Sequence, residues 1–411
     1  VTGSGTRTVD VTLADMRIRP GTIIADPGVR LVLKVTNRDS QRHDLRLATG
    51  QRTPLLRAGE TATLRLPALT GPVDGWCTVA GHRAAGMTMK IQPRSGGTAA
   101  EESPDRGSGH SGHSAEAGAA TGPLDLSAPM SRTWRPYDAR LRPAPGATEH
   151  RVTIRVVDKT LEVAPGVRQR MWTFNGSVPG PVLRGRVGDV FTVTFVNNGS
   201  MGHGIDFHAG SLAPDKPMRT IQPGERLTYR FRAERAGAWL YHCSTTPMLQ
   251  HIANGMYGAV VIDPPRLPRA DREYVLVQSE LYLGAPGSRA QVAKMRQRRP
   301  DALMFNGTAS GYDHAPLKAK AGERVRFWVV AAGPETGAAF HIVGAQFDTV
   351  YKEGAYLLRP GGDGGAQVLD LAPAQGGFVE TVFPEPGHYP FTDHDMLKAE
   401  SGAHGMVEVT R

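Results

Sequence analysis

The sequence predicts an all-β protein built from three β-sandwich domains, and three observations carry that prediction. Stretches of period-two alternation (VDVTLADMRI, RLVLKVTNR, HDLRLAT, TATLRLPAL) follow one another closely in the first hundred residues. Gly and Pro, 49 and 31 of the 411 residues, break the chain into short runs. The stretch MWTFNGSVPGPVLRGRVGDVFTVTFVN at 171–197 is echoed by LMFNGTASGYDHAPLKAKAGERVRFWVV at 303–330. A repeat at domain length means two copies of one fold.

Taken in order, the first domain is expected over 1–94. Residues 95–147 follow as a Gly/Ser/Ala/Pro-rich flexible linker, small and polar in SGGTAAEESPDRGSGHSGHSAEAGAATG. His110 and His113 of that stretch have no fold around them and are read as incidental. The repeated region gives a second domain over 148–265 and a third over 266–411. The net charge of +9 comes mostly from scattered arginine. The densest basic run, KMRQRRP at 294–300, reads as a solvated face or loop, and without interleaved aromatic residues no nucleic-acid partner is expected. No apolar run reaches the length of a membrane helix. The chain shows no signal peptide and begins at Val1, which is not a natural start, so either a removed leader or a trimmed sequence is expected. An extracytoplasmic location (periplasmic, cell-envelope or secreted) is expected.

The chemistry is carried by ordered sets of soft and nitrogen ligands. WCTVAGHRAAGM contributes Cys77, His82 and Met87, with His43 upstream in RHDLRL. One thiolate, two imidazoles and a weak thioether form a site that both copper oxidation states tolerate. Met89 is a rival to Met87, which the Ala-Gly-Met arrangement favours. The second domain repeats the quartet as His203, Cys243, His251 and Met256. Two cysteines committed to two metals are not expected to form a disulfide. Beside the second quartet stand His208, five residues after His203, and His242, directly before Cys243. Successive side chains of a strand point to opposite faces, so a Cys243 aimed inward turns His242 outward. His208 and His242 then make half of an all-nitrogen copper site with an open position, as catalytic metals require. The third domain has no cysteine, and Ala403 stands where the methionine stood, but His394 remains as the natural third ligand.

These residues match a family. From about 150 to the C-terminus the chain resembles the copper-containing nitrite reductases, in the branch found in Neisseria, through HGIDFHA, YHCSTTPMLQHIANGMYG, FHIVGAQFDTVYKEG and DHDM. The first domain resembles a plastocyanin-like cupredoxin. The resemblance implies three cupredoxin-like Greek-key sandwiches, the last two forming the reductase core. It implies two type 1 coppers and one type 2 copper per chain. His203, Cys243, His251 and Met256 would hold the type 1 copper of the core, and His208, His242 and His394 the type 2 copper that binds nitrite. Asp206 would handle protons with His341 as its partner. A homotrimer is implied, with the third histidine from a neighbouring subunit. The implied electron donor is a small cupredoxin or cytochrome c, or the first domain itself as a tethered module. Two departures stand out: GSLAPDKPMRTI after DFHA lacks the family's usual Gly-rich stretch, and Val343 replaces its usual isoleucine near the substrate.

Two other readings are weighed. A laccase-like oxidase needs a trinuclear cluster fed by His-X-His pairs, and the chain has none. A non-catalytic copper electron-transfer protein would fit the first domain alone, but not the His208, His242 and His394 set.

Overall fold

Alternation decides the first strands. In Arg30–Asn37 every second side chain (Leu31, Leu33, Val35, Asn37) is buried and the others face outward. The computed structural model describes residues 5–26, 28–67, 69, 71–79, 82, 87–93 and 124–411. His110, His113 and the first part of the expected linker lie outside the described residues. The chain divides into two units, Val1–Glu116 and Ala117–Arg411.

The first unit holds two four-stranded sheets. One runs Arg17–Arg19, Thr6–Ala14, Arg30–Asn37, Thr61–Arg65; the other Thr22–Ala25, Thr88–Pro93, Val73–Trp76, Arg46–Leu47. Each contains one parallel pair, Thr6–Ala14 with Arg30–Asn37 and Thr22–Ala25 with Thr88–Pro93. Between the sheets lies a core that includes Leu13, Leu33, Leu45, Leu47 and Ile91.

The second unit repeats this plan twice. Its first sandwich has Val167–Phe174, Glu149–Ala164, Val190–Asn197, Arg226–Arg232 in one sheet and Leu183–Arg186, Tyr257–Asp263, Gly237–His242, Asp206–Phe207 in the other. Parallel pairs fall at the same places, Glu149–Ala164 with Val190–Asn197 and Leu183–Arg186 with Tyr257–Asp263. The second sandwich keeps the order with added edge strands, in sheets of six and five strands. The repeated Phe-Asn-Gly is a two-residue turn: Asn175 and Gly176 have φ of 56° and 77°, and Asn306 and Gly307 have 50° and 80°. Bridges Phe174 to Ser177 and Phe305 to Thr308 close these turns. Positive φ at both central residues suits the twist of a hairpin, and Asn-Gly is the pair that tolerates it.

Strands between the two sandwiches of this unit are buried on both faces. Along Arg324–Gly333, Val325, Phe327 and Val329 enter the sandwich core, while Trp328, Val330 and Ala332 enter an apolar layer shared with Ala238, Leu240 and Val261 of the preceding sandwich. One charge interrupts this strand. Arg326, 1% exposed, is bonded by Glu380 at 2.7 Å and Glu273 at 3.0 Å, and Glu273 also binds Arg184 at 3.0 Å. A buried guanidinium persists only with such partners.

The expected flexible linker over 95–147 needs correction. Residues 124–147 run as a strap on the second unit, because they carry apolar and aromatic anchors. Leu124, Leu126 and Leu141 pack on the shared layer. Ala139 accepts from the Val275 amide at 2.8 Å, and the Tyr137 hydroxyl donates to the Gly180 carbonyl at 3.1 Å.

The two Asn-Gly turns differ in their surroundings. A Cβ at Gly307 would fall on the Val178 carbonyl, whereas at Gly176 it would meet only the end of Lys159, at 3.5 Å. Gly176→Ala should therefore cost about 1–2 kcal/mol, the left-handed term alone, and Gly307→Ala distinctly more. Thermal unfolding of the two variants compares them; equal losses would contradict the close contact.

Candidate metal centres

The strand Gly237–His242 is held between Asp206–Phe207 and Tyr257–Asp263, with Asp206 opposite His242. Cys243 follows at its end. The short helix Met248–Ala253 supplies His251, and Met256 sits just before Tyr257–Asp263. Backbone bonds close the loop on itself: the Met256 amide donates to the His251 carbonyl at 3.1 Å, and the Cys243 amide to the Met256 carbonyl at 3.1 Å. His203 is tied in by Asn197, whose side chain donates to the carbonyls of Met201 and Ile221 at 2.8 and 2.9 Å.

The result is a closed cluster. Nδ1 of His203 and Nδ1 of His251 are 3.1 Å apart, and the Cys243 Sγ lies 3.8 and 3.3 Å from them. Cys243, both histidines and Met256 are at most 1% exposed. Burial pushes the Cys243 thiol up to about 11. It pulls His203 down to about 4, and His251 to about 3 with added repulsion from His203. Both imidazoles are therefore neutral near pH 7, with two lone-pair nitrogens converging on one thiol. Thiolate, two imidazoles and a thioether suit copper, and binding would deprotonate the thiol.

His242 turns to the other side of the strand. Its Nδ1 lies 2.9 Å from the Cys243 carbonyl, the donor side of the ring, which leaves Nε2 as the free nitrogen. That Nε2 is 3.0 Å from Nε2 of His208. Asp206 Oδ2 stands 3.6 Å from the His208 nitrogen and 4.0 Å from that of His242. Burial, then the proximity of His242, lowers the His208 pKa against the opposing pull of Asp206. Three groups of potential ligands occur among the described residues, and Asp206 with His208 and His242 is one of them. His394 is not in it.

The first unit repeats the closed cluster almost atom for atom. His43 and His82 Nδ1 are 3.0 Å apart, with Cys77 Sγ 3.9 and 3.5 Å away. His43, Cys77, His82 and Met87 are at most 2% exposed. Asn37 bonds the carbonyls of Gln41 and Leu56 as Asn197 bonds those of Met201 and Ile221. The Met87 amide donates to the His82 carbonyl at 2.9 Å, while Met89 lies in the core over Gly75. Burial raises Cys77 to about 11 and lowers His82 to about 4.

In the last sandwich the cysteine's place falls to Asp393, since its amide donates to the Ala403 carbonyl as that of Cys243 does to Met256. Lys398 replaces the loop histidine, and its Nζ lies 3.7 Å from the fully buried Asp393 carboxylate. Gln278 donates to that carboxylate at 2.6 Å. Sequence reasoning missed this pair, although Asp393, Lys398 and Ala403 keep the spacing of Cys77, His82 and Met87. His394, one residue on, is exposed and stands ring to ring with His341, centroids 5.0 Å apart. His341 Nδ1 lies 2.6 Å from the Gln367 carbonyl, which keeps the proton there and Nε2 free. Val343 is 48% exposed beside it. One chain thus carries two separate halves: Asp206, His208 and His242 on one sandwich, His341 and His394 on the next.

Comparison with known proteins agrees with this chemistry. A multicopper oxidase family model matches residues 155–267. The chain is 38% identical over 272 residues to the copper-containing nitrite reductase of Neisseria meningitidis serogroup A, covering 63% of this chain and 69% of that one. The copper-containing nitrite reductase of Neisseria gonorrhoeae is also 38% identical, with 68% of its length covered. Among solved structures, a copper nitrite reductase from Nitrosomonas europaea superposes with a TM-score of 0.59 at 35% identity, over 64% of this chain and 94% of that one.

The depressed imidazole pKa values make a prediction for the metal-free protein. His203 and His251 bind protons in the unfolded chain below about 6.5 but in the folded chain only near 4 and 3. Stability is therefore full above pH 6.5 and is lost as pH falls toward those values, by about 1.4 kcal/mol per histidine per pH unit. Unfolding midpoints of apoprotein between pH 7.5 and 5 check this. A flat profile would contradict it.

Proposed function

The chain belongs to the copper-containing nitrite reductase family, and from that premise we propose that it reduces nitrite to nitric oxide in homotrimers whose catalytic copper is shared between subunits. The reaction is NO2⁻ + e⁻ + 2H⁺ → NO + H2O. Bound copper would supply one-electron exchange at the two thiolate sites and Lewis-acid polarisation of nitrite at the histidine site. The rest is the work of the chain.

His203, Cys243, His251 and Met256 would hold the electron-accepting ion, and His208 and His242 the nitrite-binding one. One peptide bond joins the two sets, so a covalent path from thiolate to imidazole would be available to an electron between the two ions. The observation that carries this reading is the His208–His242 pair, with Nε2 atoms 3.0 Å apart, facing outward from the cluster of Cys243. Two imidazoles are a short ligand set, and the same chain holds His394 elsewhere, exposed. His394 of the partner subunit would complete the set and bring His341 with it. A head-to-tail contact repeated through a rotation of one third of a turn would close into a homotrimer.

Asp206, with Oδ2 3.6 Å from the His208 nitrogen, would pass a proton to an anion bound there, and His341, once protonated at its free Nε2, would be the second acid. Val343 would line the pocket at the side of His341. His43, Cys77, His82 and Met87 would hold a second type 1 copper, making the first unit a tethered electron-transfer module. Reduction of oxygen to water is disfavoured by the lack of any His-X-His pair.

Complementation tests the shared site. His242→Ala and His394→Ala should each be inactive toward nitrite when alone. Unfolded together in equal amounts, refolded and reloaded with copper, they should recover roughly a quarter of the wild-type sites, the chance that an intact His208–His242 pair faces an intact His394. A silent mixture, or full activity of His394→Ala alone, would overturn the reading.

A further inference from the structure

The two thiolate clusters match in their inner ligands and differ in one place behind them. In the first unit the distal nitrogen of His43, Nε2, lies 3.3 Å from Asp39 Oδ2. The Asp39 side chain is 11% exposed. The carboxylate is fixed on its other side, where Oδ2 accepts from the Asp15 amide at 3.1 Å. In the second unit the equivalent atom, Nε2 of His203, is buried and has no hydrogen-bond partner.

The same turn position accounts for both. The Asp39 amide donates to the Asn37 side chain at 2.9 Å, and the Gly199 amide to that of Asn197 at 3.0 Å. Asp39 and Gly199 are thus counterparts, one a carboxylate and the other no side chain at all. A Cβ at Gly199 would lie 3.3 Å from His203 Cδ2 and 2.9 Å from Val156 Cγ1. The position does look onto the histidine ring, and glycine leaves it bare. Besides its fellow ligand His251, the ring meets Trp172 edge-on, with centroids 5.9 Å apart.

We propose that Asp39 is a tuning residue that sets the copper of the first unit at a lower reduction potential than that of the second, so that electrons run from the first site to the second. This rests on the reading of both quartets as type 1 copper sites. Two effects of the same sign lower the potential of the first site. An imidazole whose distal N–H donates to a carboxylate is a more basic ligand, and favours the more highly charged metal. The negative charge itself acts in the same direction through a low-dielectric interior. His203 has neither, which favours the reduced ion. One electron leaves the first site, where Cu(I) becomes Cu(II), and arrives at the second, where Cu(II) becomes Cu(I); no proton needs to move.

The test is spectroelectrochemical titration of the copper-loaded full chain, followed at the thiolate-to-copper absorption. Wild type should show two one-electron waves. Cys77→Ser should delete the lower wave and Cys243→Ser the upper. Asp39→Ala should shift the lower wave about tenfold toward the reduced ion, which is ~59 mV for one electron, and leave the upper wave in place. Asp39→Asn, which keeps an acceptor without the charge, should move it by less in the same direction and provides a milder variant for folding. An inverted assignment, or Asp39 variants with both waves unmoved, would overturn the proposal while leaving the two-copper reading intact. A single wave carrying two electrons per chain would overturn the proposal alone, and one carrying a single electron would overturn the two-copper reading as well.

Discussion

The constraint on which the rest depends is the pleat of one strand at one dipeptide. Because neighbouring side chains of a strand leave on opposite faces, His242 and Cys243 cannot serve the same ion. The pairing of Asp206 with His242 then puts a carboxylate beside the outward imidazole, and His208 follows within reach of both. The backbone bond from the Cys243 amide to the Met256 carbonyl holds the inward ligands. A one-residue slip of this strand would exchange the faces and dissolve both sites at once.

Three sandwiches of one topology carry three different fates of the same loop. The first has the closed quartet. The second has the quartet and the outward pair. The third has exchanged thiolate, imidazole and thioether for Asp393, Lys398 and Ala403, and keeps an exposed His394 one residue beyond. An ammonium and a carboxylate, with Gln278 as a further donor, fill the space that a cation and a thiolate would occupy. Lys398 is partly exposed and also donates to the Gly337 carbonyl at 2.8 Å, so the loop presenting His394 is tied by polar contacts where the other two loops carry metal-type ligands.

Much of this was legible in the sequence. The quartets could be read because cysteine, histidine and methionine are scarce, and their order along a loop is informative. The Phe-Asn-Gly echo marked the repeat, and the structure adds that it is the turn closing a hairpin in both copies. The strap over 124–147 was hidden by the polar stretch before it, since a few leucines and a tyrosine carry little signal until the groove that receives them exists. Asp393 and Lys398 escaped notice, because nothing in the sequence reports that Asp393 is buried in a turn whose other residues are largely exposed. The contact of Asp39 with His43 escaped notice for a related reason: Asp39 and Gly199 are comparable only once Asn37 and Asn197 are seen to make the same bonds.

The reading turns on one chain holding the ligands of two thiolate–imidazole copper sites and, on two separate sandwiches, the histidines of a third site shared between subunits. Copper quantitation with electron paramagnetic resonance of the fully loaded protein tests it most directly. Three coppers per chain are expected: two type 1 signals and one type 2, the last retained only in the oligomer. One type 1 copper per chain, or a type 2 signal that survives in the isolated monomer, would contradict it.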